Sequence, residues 1–379
     1  MKKILLLLLL FIIPLNIFAK DANITPNAKS AILIEASTGK ILYNKNANST
    51  SSVASLTKMM GLIIIMEKLE DGSLTKDEIL TISKNAKETG GSQIWLEEGE
   101  KISVDDLLKG ITMASANDAM VALAERISGT EEDFVKLMNQ KVKEYGLKNT
   151  NFKNVTGFDE EGHFSSAYDM SIIAMHLLEH EDILSYTSKY EDYIRENTDN
   201  KTWIVNTNKL VRFYDGADGL KTGYTENAGS CMAVTSLKND LRLIAITLGY
   251  SDAKVRNNEA SALLDYGYNQ YKTNIIFKKT DTIGKVNLEK ASRNSVTFYP
   301  EKDIVSINKK GEKDIKVSYK ININEINYPI KKGDKLGTIE ITENGKVTNN
   351  INLLSNQSAK KLNIFSLYLK TLKNVLSGN

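Results

Sequence analysis

The 379-residue chain has one cysteine, Cys231, and three histidines, His163, His176 and His180. A single thiol excludes an intramolecular disulfide framework and a cysteine-rich metal site. His176 and His180 stand four apart on a helical pattern, but no H-E-x-x-H surrounds them, so they read as a helix-surface pair and no metal is expected. Charge of one sign is also lacking. Lys and Arg number 49 against 47 Asp and Glu, a net charge of +2, which gives no reason to expect nucleic acid as a partner. Internal repeats, low-complexity tracts and cofactor motifs are absent. So is a long hydrophobic run: residues 4–13 are apolar for about ten residues, where a membrane span needs about 20. Lys2 and Lys3 before that run, then Pro14 and a cut near Ala19, make residues 1–19 a signal peptide and the mature chain an exported one.

With 41% hydrophobic and 25% charged residues, the remainder is globular and longer than one ordinary domain. Residues 31–35 and 40–43 are apolar runs around Ser37-Thr38-Gly39 and predict a β-hairpin. Residues 55–69 are apolar nearly all round, which predicts a buried central helix stopped at Asp71-Gly72. Three- and four-residue apolar spacing predicts further helices over 104–108, 118–127, 131–145 and 167–179. Residues 230–236 and 241–248 then read as an antiparallel hairpin across Lys238-Asn239-Asp240, and 258–271 as a closing helix. From about Asn274 the texture changes to short alternating stretches (283–288, 295–299, 315–321, 335–341) with no nucleophile, paired carboxylate or ligand cluster. The expected architecture is α+β and multi-domain. A catalytic domain over 20–273, with an antiparallel sheet, helices and a helical region, precedes a small all-β domain over 274–355. A tail follows over 356–379. Leu362, Phe365, Leu369, Leu372 and Leu376 step along one face of that tail, with Lys360, Lys361, Lys370 and Lys373 mostly off it. This predicts a basic amphipathic helix over 358–377 lying in a membrane interface, with packing on the β domain as the alternative.

The chemistry-bearing pattern is Ser55-Leu56-Thr57-Lys58, then Ser115-Ala116-Asn117, then Lys221-Thr222-Gly223. A serine and a lysine three apart at a helix start share a face, so the lysine amine can serve as base without any histidine. Burial and a second cation, for which Lys221 is the candidate, lower the Lys58 pKa toward that role. Ser115 and Asn117, just before a helix, could relay a proton and orient Lys58 while binding a substrate amide. Lys221 and Thr222 on an edge-like strand could hold a carboxylate, with Gly223 letting a ligand backbone approach. Each signal alone is weak. Together, in this order and on these element types, they are the set shared by serine β-lactamases and penicillin-binding proteins.

With the further landmarks Gly90-Gly91-Ser92, Asn154-Val155-Thr156-Gly157, Gly162-His163-Phe164-Ser165-Ser166-Ala167-Tyr168-Asp169, Asn206-Thr207-Asn208 and Ala217-Asp218-Gly219-Leu220, the chain resembles the low-molecular-mass penicillin-binding D-alanyl-D-alanine carboxypeptidases along nearly all of its mature length. The resemblance implies a β-lactamase/transpeptidase-like fold. It also implies hydrolysis of terminal D-alanine from peptidoglycan stem peptides through a Ser55 acyl-enzyme, with no cofactor and with β-lactams as inhibitors. By similarity, the backbone N–H groups of Ser55 and Tyr224 form the oxyanion hole. Lys221 and Thr222 hold the terminal carboxylate, joined by Arg256, for which a helix-start ion pair is the other reading. Some members carry histidine where this chain has Tyr224. The resemblance also implies an extracytoplasmic location with a C-terminal membrane anchor. A D,D-endopeptidase uses the same apparatus. A β-lactamase would also need a glutamate for deacylation, and Glu144, the nearest candidate, falls at a helix end. A non-catalytic wall-binding or β-lactam-sensing protein is disfavoured by the intact motif set.

Overall fold

The computed structural model describes residues 23–376, so the signal peptide expected over residues 1–19 lies outside the described residues. The organising element is a five-stranded antiparallel sheet in the order Ile41–Lys45, Ser30–Glu35, Leu241–Tyr250, Gly229–Lys238, Ala217–Thr225. The N-terminal hairpin therefore inserts beside the last strand of the C-terminal hairpin, with Ile32 opposite Ile246. These strands read as continuous apolar runs because both faces of the sheet are covered. Ile32, Ile34, Ile244 and Ile246 face the helical region, whereas Ala31, Leu33, Leu243 and Ala245 face the helix Ala253–Gln270 through Leu263 and Leu264.

The helical region is built around Lys58–Glu70, in which Met59, Met60, Leu62, Ile63, Ile64, Ile65 and Met66 are all buried. Removing such side chains from water contributes about 2 kcal/mol each as an upper figure, so this helix is the main apolar anchor of the domain. Helices Asn117–Ser128, Glu131–Glu144 and Ala167–Glu179 pack around it. The last matches its expected span because Ser166 caps it by accepting from Asp169 N, and apolar residues then recur at helical spacing.

One difference at the central helix matters for function. The helix was expected from Ser55, but Ala54–Thr57 forms a 3₁₀ turn and the α-helix starts at Lys58. In 3₁₀ geometry residues i and i+3 eclipse one another, which lines Ser55 up with Lys58 more directly than an α-turn would.

A second five-stranded sheet, in the order Gly284–Asn287, Ser295–Pro300, Lys346–Ser355, Lys335–Glu343, Val317–Ile323, has its own core around Phe298, Ile339, Ile341 and Leu353. Between the two sheets runs a two-stranded pair, Tyr271–Phe277 with Ile304–Lys309. Val305 and Ile307 of this pair pack into the catalytic sheet's outer core, while Ile304 belongs to the second core. Lys40 Nζ donates to the Ile307 carbonyl (2.7 Å), which fixes the junction. The fold class matches the α+β expectation. The tail helix, however, spans Ile364–Leu376 instead of starting at 358. Ala359 bridges to Ile330, Lys361 bridges to Ala291, and Leu362 N donates to the Lys290 carbonyl, so the first residues of the expected stripe are held extended against the β domain.

Candidate active site

Ser55 lies on the 3₁₀ turn, at the foot of the central helix and against the edge strand Ala217–Thr225. Two glycines make that position possible. Gly157 (φ +88°) lies so close to the Ala54 carbonyl that a Cβ there would overlap it, and a Cβ on Gly223 would meet Ser55 N at 2.9 Å. Gly223 reads from sequence as room for a ligand backbone; the structure fills that room with the turn that carries Ser55. Ala54 itself takes the left-handed region (φ 49°), which an alanine adopts only when its surroundings fix it.

Lys58 is fully buried and donates to three acceptors: Ser55 Oγ (2.9 Å), Asn117 Oδ1 (2.7 Å) and the Thr156 carbonyl (2.8 Å). No carboxylate pairs with it among the described residues. Its pKa is held well below the ordinary lysine value, first by burial and then by Lys221, with Asp118 opposing. A lysine with a depressed pKa at hydrogen-bond distance from a serine hydroxyl is the geometry of general-base activation.

Ser115 and Asn117 flank the start of the helix Asn117–Ser128, which begins one residue earlier than the periodicity predicts. Ser115 is buried in the left-handed region (φ 63°) at the end of the π-turn Gly110–Ala114. Bonds from Ala116 N to the Gly110 carbonyl and from Asn117 N to the Ser92 carbonyl hold it there. Asn117 has its amide orientation set on both sides, the oxygen accepting from Lys58 and Nδ2 donating to the Gly90 carbonyl (2.9 Å). It therefore positions Lys58, and one of its two N–H donors is already committed.

Lys221 and Thr222 are buried on the edge strand. Burial, and then the charge of Arg256, push the Lys221 pKa down to about 7. Lys221 Nζ donates to the Thr222 carbonyl (2.9 Å), and Thr222 Oγ1 donates to Thr207 Oγ1 (2.8 Å). Tyr224, the next residue but one, is 66% exposed. Arg256 is buried on the helix that covers the sheet and donates to the Cys231 carbonyl and to Asn257 Oδ1. No ion pair involves it among the described residues, so its charge adds to that of Lys221. Two buried cations without a carboxylate make an anion-binding locus.

Sequence reasoning passed over several contributors. Thr156 supplies a carbonyl to Lys58, and its neighbourhood was noted only as a landmark. His163 bonds the turn that carries Ser55. Lys153 N donates to its Nδ1 (3.2 Å), so the neutral ring carries its proton on Nε2 and donates it to Thr57 Oγ1 (2.8 Å). Burial lowers its pKa to about 4, and the ring stays neutral at ordinary pH. Asp118 is fully buried and accepts from Ile94 N, Leu96 N and Ala119 N, bracing the segment beside Ser92. Nothing local in sequence marks it, because the Ile94 and Leu96 groups it braces lie 24 and 22 residues away. His176 stacks on Tyr145 and His180 pairs with Glu70, away from the cleft. Glu144 is exposed and pairs with Lys141 (3.2 Å), so it is not placed to activate a water at Ser55.

Residues 17–252 match the family described as D-alanyl-D-alanine carboxypeptidase, and residues 271–361 match the penicillin-binding protein 5 C-terminal domain. The chain belongs to the D-alanyl-D-alanine carboxypeptidase family. It is a serine peptidase of the penicillin-binding type. It is 45% identical over 355 residues to D-alanyl-D-alanine carboxypeptidase DacF of Bacillus subtilis, covering 93% of this chain and 91% of that one. Identity to DacA of Escherichia coli K12 is 32% over 357 residues, covering 92% and 87%. Penicillin-binding protein 5 of Haemophilus influenzae superposes with TM-score 0.68 at 30% identity, over 88% of this chain and 98% of that one. The ampicillin-bound penicillin-binding protein D2 of Listeria monocytogenes superposes with TM-score 0.58 at 30% identity, over 64% and 98%.

Proposed function

We propose that this family member removes the terminal D-alanine from peptidoglycan stem pentapeptides through an acyl-enzyme on Ser55. The observation that carries the reading is the 2.9 Å contact between Lys58 Nζ and Ser55 Oγ, made by a buried lysine with no carboxylate partner among the described residues. Neutral Lys58 takes the Ser55 proton as Oγ attacks the carbonyl of the penultimate residue. The backbone N–H groups of Ser55 and Tyr224 receive the developing oxyanion, a role consistent with the close packing of Gly223 on Ser55 N. The peptide C–N bond then breaks. A proton passes from Lys58, by way of Ser115, to the departing amine, and water hydrolyses the ester. Lys221, Thr222 and Arg256 hold the substrate's terminal carboxylate, and Asn117 keeps Lys58 aimed. Penicillin would acylate the same oxygen through its lactam carbonyl.

We assign residues 20–273 to the catalytic unit, residues 274–355 to the β domain and residues 1–19 to export. The helix Ile364–Leu376 exposes Ile364, Phe365, Tyr368, Leu369 and Leu372, which suits an interfacial membrane contact. No helix among the described residues is long and apolar enough to cross a membrane. Incubating the full chain with a free pentapeptide ending in D-Ala-D-Ala and with cross-linked dimeric muropeptides tests the assignment. Release of free D-alanine from the pentapeptide is expected. Cleavage of dimers without free D-alanine would replace this reading with an endopeptidase.

A further inference from the structure

Both tryptophans of the chain face solvent: Trp95 is 73% exposed and Trp203 57%. Trp95 is held there at a cost. Its backbone takes the left-handed region (φ 59°), while Ile94 and Leu96 on either side are buried. Asp118 accepts from the N–H groups of both neighbours, and Arg195 donates to the carbonyls of Ile94 and Trp95. Arg195 is itself left-handed (φ 57°) and fixed by Glu100. Two opposite charges therefore grip the backbone around a bulky apolar side chain that projects outward. Backbone strain that is this heavily braced is characteristic of functional positions.

Across from Trp95 lies the hairpin Glu191–Ile194 with Thr202–Val205. Between them is a cavity of 380 Å³ lined by Trp95, Glu97, Arg195, Asn200, Lys201 and Thr202. On the outer face of the hairpin, exposed Tyr193 stands directly opposite Trp203. Lys201 belongs to both features, lining the cavity and reaching over the Tyr193 ring (4.1 Å to the centroid). Both tryptophans are tied to the cleft through short stretches of backbone. Trp95 is three residues beyond Ser92, whose carbonyl accepts from Asn117 N, and Trp203 is four residues before Thr207, whose hydroxyl meets Thr222. At about 3.3 Å per extended residue, that places it within about 13 Å of chain from the Lys-Thr-Gly strand.

We propose that this aromatic platform is a saccharide subsite that binds the N-acetylated glycan strand carrying the stem peptide. Pyranose rings present flat C–H faces ringed by hydroxyl and acetamido groups. Exposed aromatic faces edged by an amide, a hydroxyl and an ammonium match that chemistry. The continuity with the cleft selects this occupant, because a peptide seated at Ser55 leads back to its own glycan. The inference rests on the stem-peptide reading, and the test separates the two.

Because the two tryptophans are the whole indole fluorescence of the chain, titration with peptide-free β-1,4-linked N-acetylglucosamine oligomers reports binding without any catalysis. A saturable spectral shift is expected, with Trp95→Ala and Trp203→Ala each weakening the binding seen through the remaining indole. In each variant kcat/KM for glycan-linked pentapeptide should fall at least about five-fold further than for free pentapeptide. No spectral response at millimolar oligomer would overturn the proposal. Equal losses on both substrates would overturn it too, by assigning the platform to the peptide. A spectral response without D-alanine release from either substrate would keep the saccharide site and overturn the peptidase reading.

Discussion

The cleft and the β domain follow opposite rules for charge and backbone. In the cleft, Lys58, Lys221 and Arg256 are buried without an ion pair among the described residues, and Ala54, Trp95 and Ser115 adopt left-handed backbone outside any hairpin turn. In the β domain and its junction, lysines stay at the surface in pairs such as Lys272 with Asp314 (2.8 Å). There the left-handed residues Lys290 and Asn344 lie in connections between paired strands, Gly284–Asn287 with Ser295–Pro300 and Lys335–Glu343 with Lys346–Ser355. One region spends stability on depressed lysine pKa values and a fixed turn at Ser55, and the other is ordinary sheet packing. That contrast locates the chemistry independently of any motif.

The largest expected effect that probes the contrast is Lys58→Ala. Loss of a positioned base should slow acylation by penicillin about 10³-fold or more, measured by intact mass over time. Unfolding free energy should change by less than about 2 kcal/mol, since the cost of burying the amine is removed along with the bonds it donates to Asn117 Oδ1 and the Thr156 carbonyl. Lys221→Ala should weaken recognition of the substrate carboxylate as well as slow acylation, read as a rise in KM together with a slower adduct. Gly157→Ala should act differently, because its Cβ would collide with the Ala54 carbonyl in a left-handed conformation. A loss of about 3 kcal/mol in chemical denaturation, together with slower acylation, is expected.

His163 gives a stability effect with a defined sign. Its pKa falls from 6.5 to about 4 on folding, so between those values the unfolded chain binds a proton that the folded chain does not. Stability therefore drops as pH falls from 6.5 to 4, by up to about 3 kcal/mol. His163→Gln should flatten that slope in pH-dependent denaturation. For kcat/KM, Lys58 must be neutral and Lys221 charged, so the basic limb should begin near the Lys221 pKa of about 7. Lys221→Arg, whose guanidinium stays protonated, should move that limb upward in a pH–rate profile. The smallest effect belongs to the other region: Lys272→Ala should cost less than about 1 kcal/mol and leave acylation unchanged.

Much of this was legible in the sequence where a short-range signal exists. The helix Ala167–Glu179, the two hairpins of the main sheet and the Ser55–Lys58 spacing all follow from periodicity or from i, i+3 geometry. What stayed hidden depends on contacts between distant residues. The clamp of Asp118 and Arg195 around Trp95, the approach of Gly157 to Ala54 and the His163–Thr57 bond join segments that no local pattern connects. The start of the tail helix differs from the periodicity for the same reason. Helical spacing around Leu362 is real, but bridges from Ala359 and Lys361 to the β domain override it.

The central claim is that Ser55 is the nucleophile and Lys58 its base. The most direct measurement is peptide mapping of the full chain after brief incubation with labelled penicillin, alongside Ser55→Ala and Lys58→Ala. The account predicts a single adduct on Ser55, absent from the first variant and strongly slowed in the second. An adduct on another residue, or acylation of the Lys58 variant at the normal rate, would contradict it.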